Sequence, residues 1–466
     1  MIASVQAFLR RLPREHIMLG FILGLAAVLR LGALGRWSLW LDEVYSWRFA
    51  GGPVSAIWQQ VGEPQPPLYY LLLHYWMALG QSEFWLRLPS ALTGCFAVLL
   101  MWKTGAAFGN RQVGLLAAAL LALSPLHIWY SREARMYGPA ACWGLASFYC
   151  HLQVFKRDKW RDVIALAAMT LLAIYTAYSA GAVWLLEVML SLPLWSATGR
   201  APRRLLRWLV AQTLIGLGFL PYWPYFQRQI RTGAYPGEQV VIWLARLGFE
   251  ANFDNFRHWA FAFGVGMLAL LIVFLFDVPR DLKYWGTGPI VGGVFLFGLL
   301  TLAGAVSRGL AIRRQLLALW PLGVLLAAWA IIHLRRRWAT ATFIILSGLL
   351  AVFTVGRPAY ENWRGAVTFV SQNAQTIDSV LLYPSYLVPS FEYYYHGLAP
   401  YHGLPPDWEQ SAPNALLTPS TRTWLVLSHD EFVDPTGQLR AWFVAHGQLL
   451  AAHAFAGIEV LEYESK

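Results

Sequence analysis

Long apolar runs alternate with short basic clusters along the first three quarters of the chain, and that alternation predicts the architecture. The first run, Ile17 to Leu34, is about twenty residues, enough to cross the ~30 Å apolar core of a bilayer as one helix. Further runs cover 84–102, 112–130, 138–155, 163–178 and 180–196. Basic clusters punctuate them: Lys103 and Arg111, Lys156 to Lys159, Arg200 to Arg207, Arg280 to Lys283, and Arg335 to Arg337. If these clusters are cytoplasmic, the shorter apolar-aromatic run Leu68 to Gly80 does not change sides. The expectation is an all-α polytopic membrane protein of about 11–13 transmembrane helices over residues 1–356. External juxtamembrane helices fall in a first external loop, 35–83, and a large external loop spans 222–258. From residue 357 onward no run is long enough to cross. Residues 379–383 and 423–427 read as buried strands, 457–463 as an alternating strand, and Trp363–Asn373 and Glu431–His446 as helices. Residues 357–466 are therefore expected to form a small soluble α/β domain outside the membrane.

Composition narrows the class. The chain is 57% hydrophobic and 13% charged, about half the charge of a soluble globular domain, which excludes a water-soluble enzyme. A net charge of +11 could suit nucleic acid, but the basic residues sit between apolar spans, where they write topology instead. Arg10, Arg11 and Arg14 put the N-terminus in the cytoplasm, with the first span a retained anchor in the cell (inner or plasma) membrane. Cys95, Cys142 and Cys150 lie in apolar segments and read as packing residues. No zinc-ligand spacing, phosphate-cradling glycine loop or nucleophile elbow is present.

Chemistry collects at one face. Asp42 and Glu43 follow the first span directly, flanked by Trp40, Tyr45 and Trp47, at the depth where aromatic anchors and ionised carboxylates are tolerated. Two basic groups break the topology rule, Arg132 with Arg135, and Arg308 with Arg313 and Arg314; both land on the face of Asp42 and Glu43. An arginine fork binds phosphate, and a carboxylate takes a proton from an attacking hydroxyl, so the set suits transfer from an anionic lipid. Plainer roles compete: Arg132 and Arg135 could pair with Glu133 or lipid headgroups, and Arg313 and Arg314 would be cytoplasmic if the parity were off by one. Two exceptions, Arg30 and Glu187, lie inside otherwise clean spans.

The ordered motifs resemble the C-type superfold of membrane glycosyltransferases, and in particular the dolichyl-phosphate-mannose-protein mannosyltransferase-like family, whose relatives include the bacterial lipid A aminoarabinose transferase. The matching residues are Leu41-Asp42-Glu43, Glu63-Pro64-Gln65-Pro66-Pro67-Leu68-Tyr69-Tyr70, Ser82 to Ser90, Ser124-Pro125 through Tyr137, Arg313 to Pro321, and Glu361-Asn362-Trp363-Arg364. The resemblance implies an inverting transfer of a sugar from a polyprenyl-phosphate carrier to a protein, lipid or polysaccharide acceptor outside the membrane. It makes Asp42 the base, with Glu43 shaping the acceptor site. It puts Glu63 near the donor phosphate, where it could help hold a divalent metal ion. It lines the donor site with Gln65, Arg132, Arg135 and Tyr137, and sets Arg308, Arg313 or Arg314 on the phosphate. Several relatives carry a basic residue or histidine where this chain has Gln65, which can hydrogen-bond an oxygen but brings no charge. Two other classes compete: a lipid-linked glycan flippase, which would carry charge within its spans and repeats, and a polymerase or ligase using a diphosphate-linked donor.

Overall fold

In the computed structural model, residues 13–59, 65–231, 317–333, 337–356, 361–408 and 422–465 are described here. In chain order the helices are α1 Arg14–Leu31, α2 Leu41–Ala50, α3 Val54–Gln59, α4 Leu68–Trp76, α5 Glu83–Phe108, α6 Arg111–Ala122, α7 Pro125–Ser131, α8 Tyr137–Arg157 and α9 Trp160–Thr176. They continue as α10 Gly181–Ala197, α11 Pro202–Phe219, α12 Trp223–Arg231, α13 Trp320–His333 and α14 Arg337–Gly356. The chain then mixes α15 Trp363–Asn373, β1 Ser379–Tyr383, α16 Val388–Tyr394, β2 Tyr401–Gly403, β3 Arg422–Leu427, α17 Asp430–Val433, α18 Gln438–His446, β4 Gly447–Phe455 and β5 Ile458–Ser465. Two compact units result. One comprises Met1–Leu34, Pro53–Ala78 and Arg87–Gly356; the other comprises Gly35–Gly52, Leu79–Leu86 and Arg357–Lys466.

The first unit is helical. Among the described residues, three helices are long and apolar enough to cross a membrane, or four if α6 and α7 form one broken span. The 11–13 helices expected from the sequence fall in part on residues outside those described. At nine residues, α4 is about 14 Å long, half of what a crossing needs, in agreement with the short run read at 68–80. Outward residues of the longer helices are apolar: Phe21 and Val28 on α1, Leu92 on α5 and Met189 on α10 are exposed, as lipid-facing positions are. Helices α5 and α6 approach closely through glycine. A Cβ on Gly105 would lie 2.7 Å from the Gly114 Cα, so no larger residue fits without separating the helices.

The run 112–130 is not one straight span. It breaks at Ser124-Pro125 and bends by 60° between α6 and α7. Proline cannot donate the helical hydrogen bond, so Leu121 O loses its usual donor four residues on and keeps only a long one, from Ser124 N at 3.3 Å. Arg30, fully buried on α1, supplies donors there: its Nη2 donates to Leu121 O at 2.9 Å and its Nη1 to Ala122 O at 3.1 Å. The same Nη2 donates to His127 Nδ1 at 2.9 Å. A guanidinium only donates, so Nδ1 accepts and a neutral His127 carries its proton on Nε2. The second in-span exception is held likewise. Ser147 Oγ on α8 donates to Glu187 Oε1 on α10 at 2.7 Å and lies 2.7 Å from Thr170 Oγ1 on α9, tying three helices together.

The second unit is a five-stranded sheet of order β2-β1-β3-β5-β4, parallel across β2-β1-β3 and antiparallel thereafter. Helices cover both faces, which is why β1 and β3 read as continuous apolar runs and not as alternating ones. Val380, Leu382, Trp424, Val426 and Val460 pack against Trp363, Val367 and Val370 of α15 and Phe391 of α16. On the opposite face Leu381, Tyr383, Leu425 and Tyr463 pack against Leu439 and Phe443 of α18. Helix α15 spans Trp363–Asn373 as the sequence suggests, capped by Asn362, whose Oδ1 accepts from Gly365 N at 3.1 Å. The helix expected over Glu431–His446 is two, because Pro435 and Gly437 interrupt it; Asp434 caps the second through Gln438 N and Leu439 N at 2.8 Å. Strands β2 and β4 had no sequence signal, the first because it is three residues long.

Candidate active site

The acid pair opens helix α2, which belongs to the second unit. Its two carboxylates have different jobs. Glu43, at the third position of the helix and fully buried, turns back so that its Oε2 accepts from Trp40 N at 3.3 Å, closing the first turn. Asp42 is half-buried beside it, on a helix N-terminus that favours a negative charge.

Helix α2 is held by the sheet domain of its own unit. Tyr45 Oη donates to Tyr386 O at 3.0 Å, Leu39 N to Tyr394 Oη at 2.7 Å, and Arg48 pairs with Glu392 at 3.0 Å. Leu41 packs against the apolar cluster around Trp363. Trp47 donates through Nε1 to Gln81 Oε1 at 2.9 Å and meets the Tyr393 ring edge-to-face at 5.0 Å. Glu83 Oε1 accepts from Tyr394 Oη at 3.0 Å and from Arg364 Nε at 2.9 Å, so the sequence motifs 82–90 and 361–364 meet in an ion pair.

A histidine completes this region. His429 sits between β3 and α17 at φ 60°, and its Nε2 lies 2.7 Å from Glu361 Oε1. Glu361 is buried; its other oxygen accepts from Trp363 Nε1, and its backbone carbonyl accepts from Ser38 Oγ at 2.6 Å. Burial alone would lower the His429 imidazole, but the hydrogen bond to Glu361 and the charges of Glu361, Glu431 and Asp42 outweigh it and raise it above its ordinary value. Burial also pushes the Tyr45 phenol up; Arg48 opposes that and Asp42 adds to it.

The first unit holds the turn 131–137. Arg132, expected in the donor site, caps a helix: its Nη1 donates to Leu29 O at 3.0 Å, Arg30 O at 3.3 Å and Gly32 O at 2.8 Å, the carbonyls ending α1. Arg135 points elsewhere. It is buried, its Nη1 donates to Tyr70 Oη at 3.4 Å, and its guanidinium lies 5.8 Å from the centre of the Tyr137 ring. Ser90 Oγ donates to Arg135 O at 2.9 Å and fixes the turn against α5. Tyr70 packs edge-to-face on Tyr69 of the same helix, and Gln65, just before α4, is buried. Of the sequence candidates, Arg135 thus meets Tyr137, and also Tyr70, whereas Arg132 turns to α1. Glu63, Arg308, Arg313 and Arg314 lie outside the described residues, and so does any metal site built on Glu63. Among the described residues no three His, Cys, Asp or Glu side chains gather as metal ligands.

Sequence reasoning did not single out His429, Glu361, Tyr386 and Glu83, which the structure gathers in the unit that carries α2. Glu361 and Glu83 lay inside quoted motifs and could have been weighed there. His429 had no signal, since nothing in the chain marks a lone histidine after a strand as the partner of a glutamate 68 positions earlier.

Residues 64–225 match the family described as dolichyl-phosphate-mannose-protein mannosyltransferase. No curated protein matches the chain in sequence. Among solved structures, ArnT from Cupriavidus metallidurans in the apo state shares 13% identity at a TM-score of 0.50, over 95% of this chain and 97% of that one. The apo oligosaccharyltransferase from Archaeoglobus fulgidus shares 11% identity at a TM-score of 0.54, over 95% of this chain and 74% of that one. At such identities the likeness is one of fold. The chain therefore has the C-type fold of the membrane glycosyltransferases, and across residues 64–225 it is similar to the dolichyl-phosphate-mannose-protein mannosyltransferases.

Proposed function

We propose that the protein is an inverting glycosyltransferase that moves one sugar from a polyprenyl-phosphate carrier to an acceptor hydroxyl on the outer face of the cell membrane. In this reading Asp42 takes the proton as the acceptor oxygen attacks the anomeric carbon. The bond from that carbon to the phosphate oxygen breaks, and polyprenyl phosphate leaves with the electron pair. Arg135 neutralises the phosphate, with Tyr137 and Gln65 completing the donor site; Gln65 supplies hydrogen bonds without charge. Glu43 contributes by holding the first turn of α2, and so the direction of Asp42. Glu63, Arg308, Arg313 and Arg314 keep the roles the resemblance implies: a metal or phosphate contact for Glu63, and phosphate contacts for the arginines. A bound divalent ion would supply further positive charge to the departing phosphate. The C-terminal domain selects the acceptor, and the acceptor class is glycan, lipid or protein.

The observation that carries the reading is the division of labour on α2. Glu43 is committed to the helix, while the neighbouring Asp42 is half-buried on a rigid first turn. A general base needs that combination of access and fixed direction. The test gives the detergent-solubilised protein a panel of radiolabelled polyprenyl-phosphate sugars and a crude envelope acceptor, beside Asp42→Asn. Consumption of one donor by wild type, with a folded and inactive variant, supports the reading. Equal turnover by the variant overturns it.

A further inference from the structure

The chain that enters α2 runs through turns and then irregular backbone from Gly35 to Leu39, with no helix or strand to hold it. Side chains of its own unit hold it instead. At one end Arg364 donates through Nη2 to Gly35 O at 3.1 Å and through Nη1 to Arg36 O at 3.3 Å. At the other end Leu39 N donates to Tyr394 Oη at 2.7 Å. Both ties meet on one carboxylate: Glu83 Oε1 accepts from Arg364 Nε at 2.9 Å and from Tyr394 Oη at 3.0 Å. The segment also lies directly on the first turn of α5, which carries Glu83, since a Cβ on Gly35 would come within 3.3 Å of Phe84 N.

We propose that the Tyr394 hydroxyl is a positioning residue for Asp42: with Glu83 and Arg364 it brackets segment 35–39 and so fixes the first turn of α2. This rests on the reading of Asp42 as the base. The phenol is suited to the task because it accepts and donates at one oxygen, taking the Leu39 amide and giving its proton to Glu83. A hydrogen bond that ends on an ion-paired carboxylate is among the strong ones, and bonds in line polarise one another. The constraint reaches Asp42 within one turn. Trp40, next after Leu39, donates to Glu43 Oε2, and its carbonyl accepts from Glu43 N at 3.0 Å and Val44 N at 3.1 Å. Leu39 is thus tied one residue before a turn that is closed on itself and contains Asp42. A catalytic group must be held to within about 0.5 Å, and a misplacement of about 1 Å can cost roughly 10²-fold in rate.

Tyr394→Phe removes the hydroxyl and keeps the ring, which packs edge-to-face on Tyr393 at 4.7 Å. Hydrogen exchange on the full-length protein in detergent, read by mass spectrometry, needs no substrate. In the variant, peptides covering 36–44 should exchange at least about 3-fold faster than in wild type, while those over β1 keep their wild-type rate. In turnover with the radiolabelled donor, kcat should fall about 10-fold with the donor KM nearly unchanged. Glu83→Gln keeps an acceptor for the phenol and removes the charge, so it should lose less. The double variant should lose little more than Tyr394→Phe alone, because both substitutions act through one chain of bonds. A role in stability alone would lower the melting temperature and leave kcat in place. Unchanged exchange at 36–44 overturns the bracket, and unchanged kcat in Tyr394→Phe, with Asp42→Asn inactive, overturns the positioning role. Failure of the base reading shows up separately, as donor turnover by Asp42→Asn, and leaves the exchange difference in place.

Discussion

Two short polar segments, 40–48 and 131–137, each present a like-charged pair, and each pair divides in the same way. In the first, Glu43 closes its helix through Trp40 N while Asp42 stands half-buried beside it. In the second, Arg132 spends its fork on the carbonyls of Leu29, Arg30 and Gly32, while Arg135 sits among Tyr70 and Tyr137. One member of each pair satisfies backbone groups that would otherwise be orphaned near a membrane, where each costs several kcal/mol. The other, in the function proposed above, acts on the substrate. A charged residue quoted in a family motif is thus as readily the scaffold of a site as its reagent, and the hydrogen-bond partner decides which.

The largest effect should separate Asp42 from Glu43. Asp42→Asn keeps the shape and removes the base, so kcat/KM should fall by about 10²–10⁴-fold with thermal stability nearly unchanged. Glu43→Gln should do the reverse, lowering stability by about 1 kcal/mol through the weakened cap while most activity survives. Turnover with a radiolabelled polyprenyl-phosphate sugar and a melting curve on the same samples check both. Equal losses of activity in the two variants would break the division.

The arginines offer the next contrast. Arg135→Lys keeps the charge but loses the planar fork, and should raise the donor KM by roughly 10-fold or more, because hydrogen bonds between charged groups are worth about 1.5–3 kcal/mol. Arg132→Gln should leave the donor KM alone and lower stability by about 1–2 kcal/mol, since it removes a charged donor from a helix C-terminus. Donor titrations and melting curves distinguish the two. A KM effect at Arg132 larger than at Arg135 would exchange their roles.

How much of this was legible in the sequence depended on the range of the interaction. Helix α15 and strands β1 and β3 were readable because local pattern specified them: an Asn cap before Trp363, and apolar runs of five or six residues bounded by turn formers. The acid pair and the two arginines of 131–137 could be picked out, because charge at an apolar boundary is conspicuous. Their division could not. Arg132 is a cap only because Gly32 ends α1 a hundred positions earlier, and Arg30 is one only because Pro125 breaks the run 112–130. Both facts are tertiary, and no window along the chain contains them.

The smallest effect sharpens the comparison by pH. Arginine does not titrate in the working range, so the stability lost in Arg132→Gln should be constant between pH 5 and pH 9. The His429–Glu361 pair, in the unit that holds 40–48, does titrate. His429 lies above its ordinary value when folded, so its pairing with Glu361 contributes fully below about pH 6.5 and is lost as pH rises through the folded value. Glu361→Gln keeps an acceptor for Trp363 and removes the charge. Its melting temperature should fall below wild type by a few degrees near pH 5.5, and the gap should close toward pH 9. A gap that stays constant across that range would mean that His429 is neutral when folded. The unit that holds 40–48 would then be held, like the turn 131–137, by groups that keep one charge state.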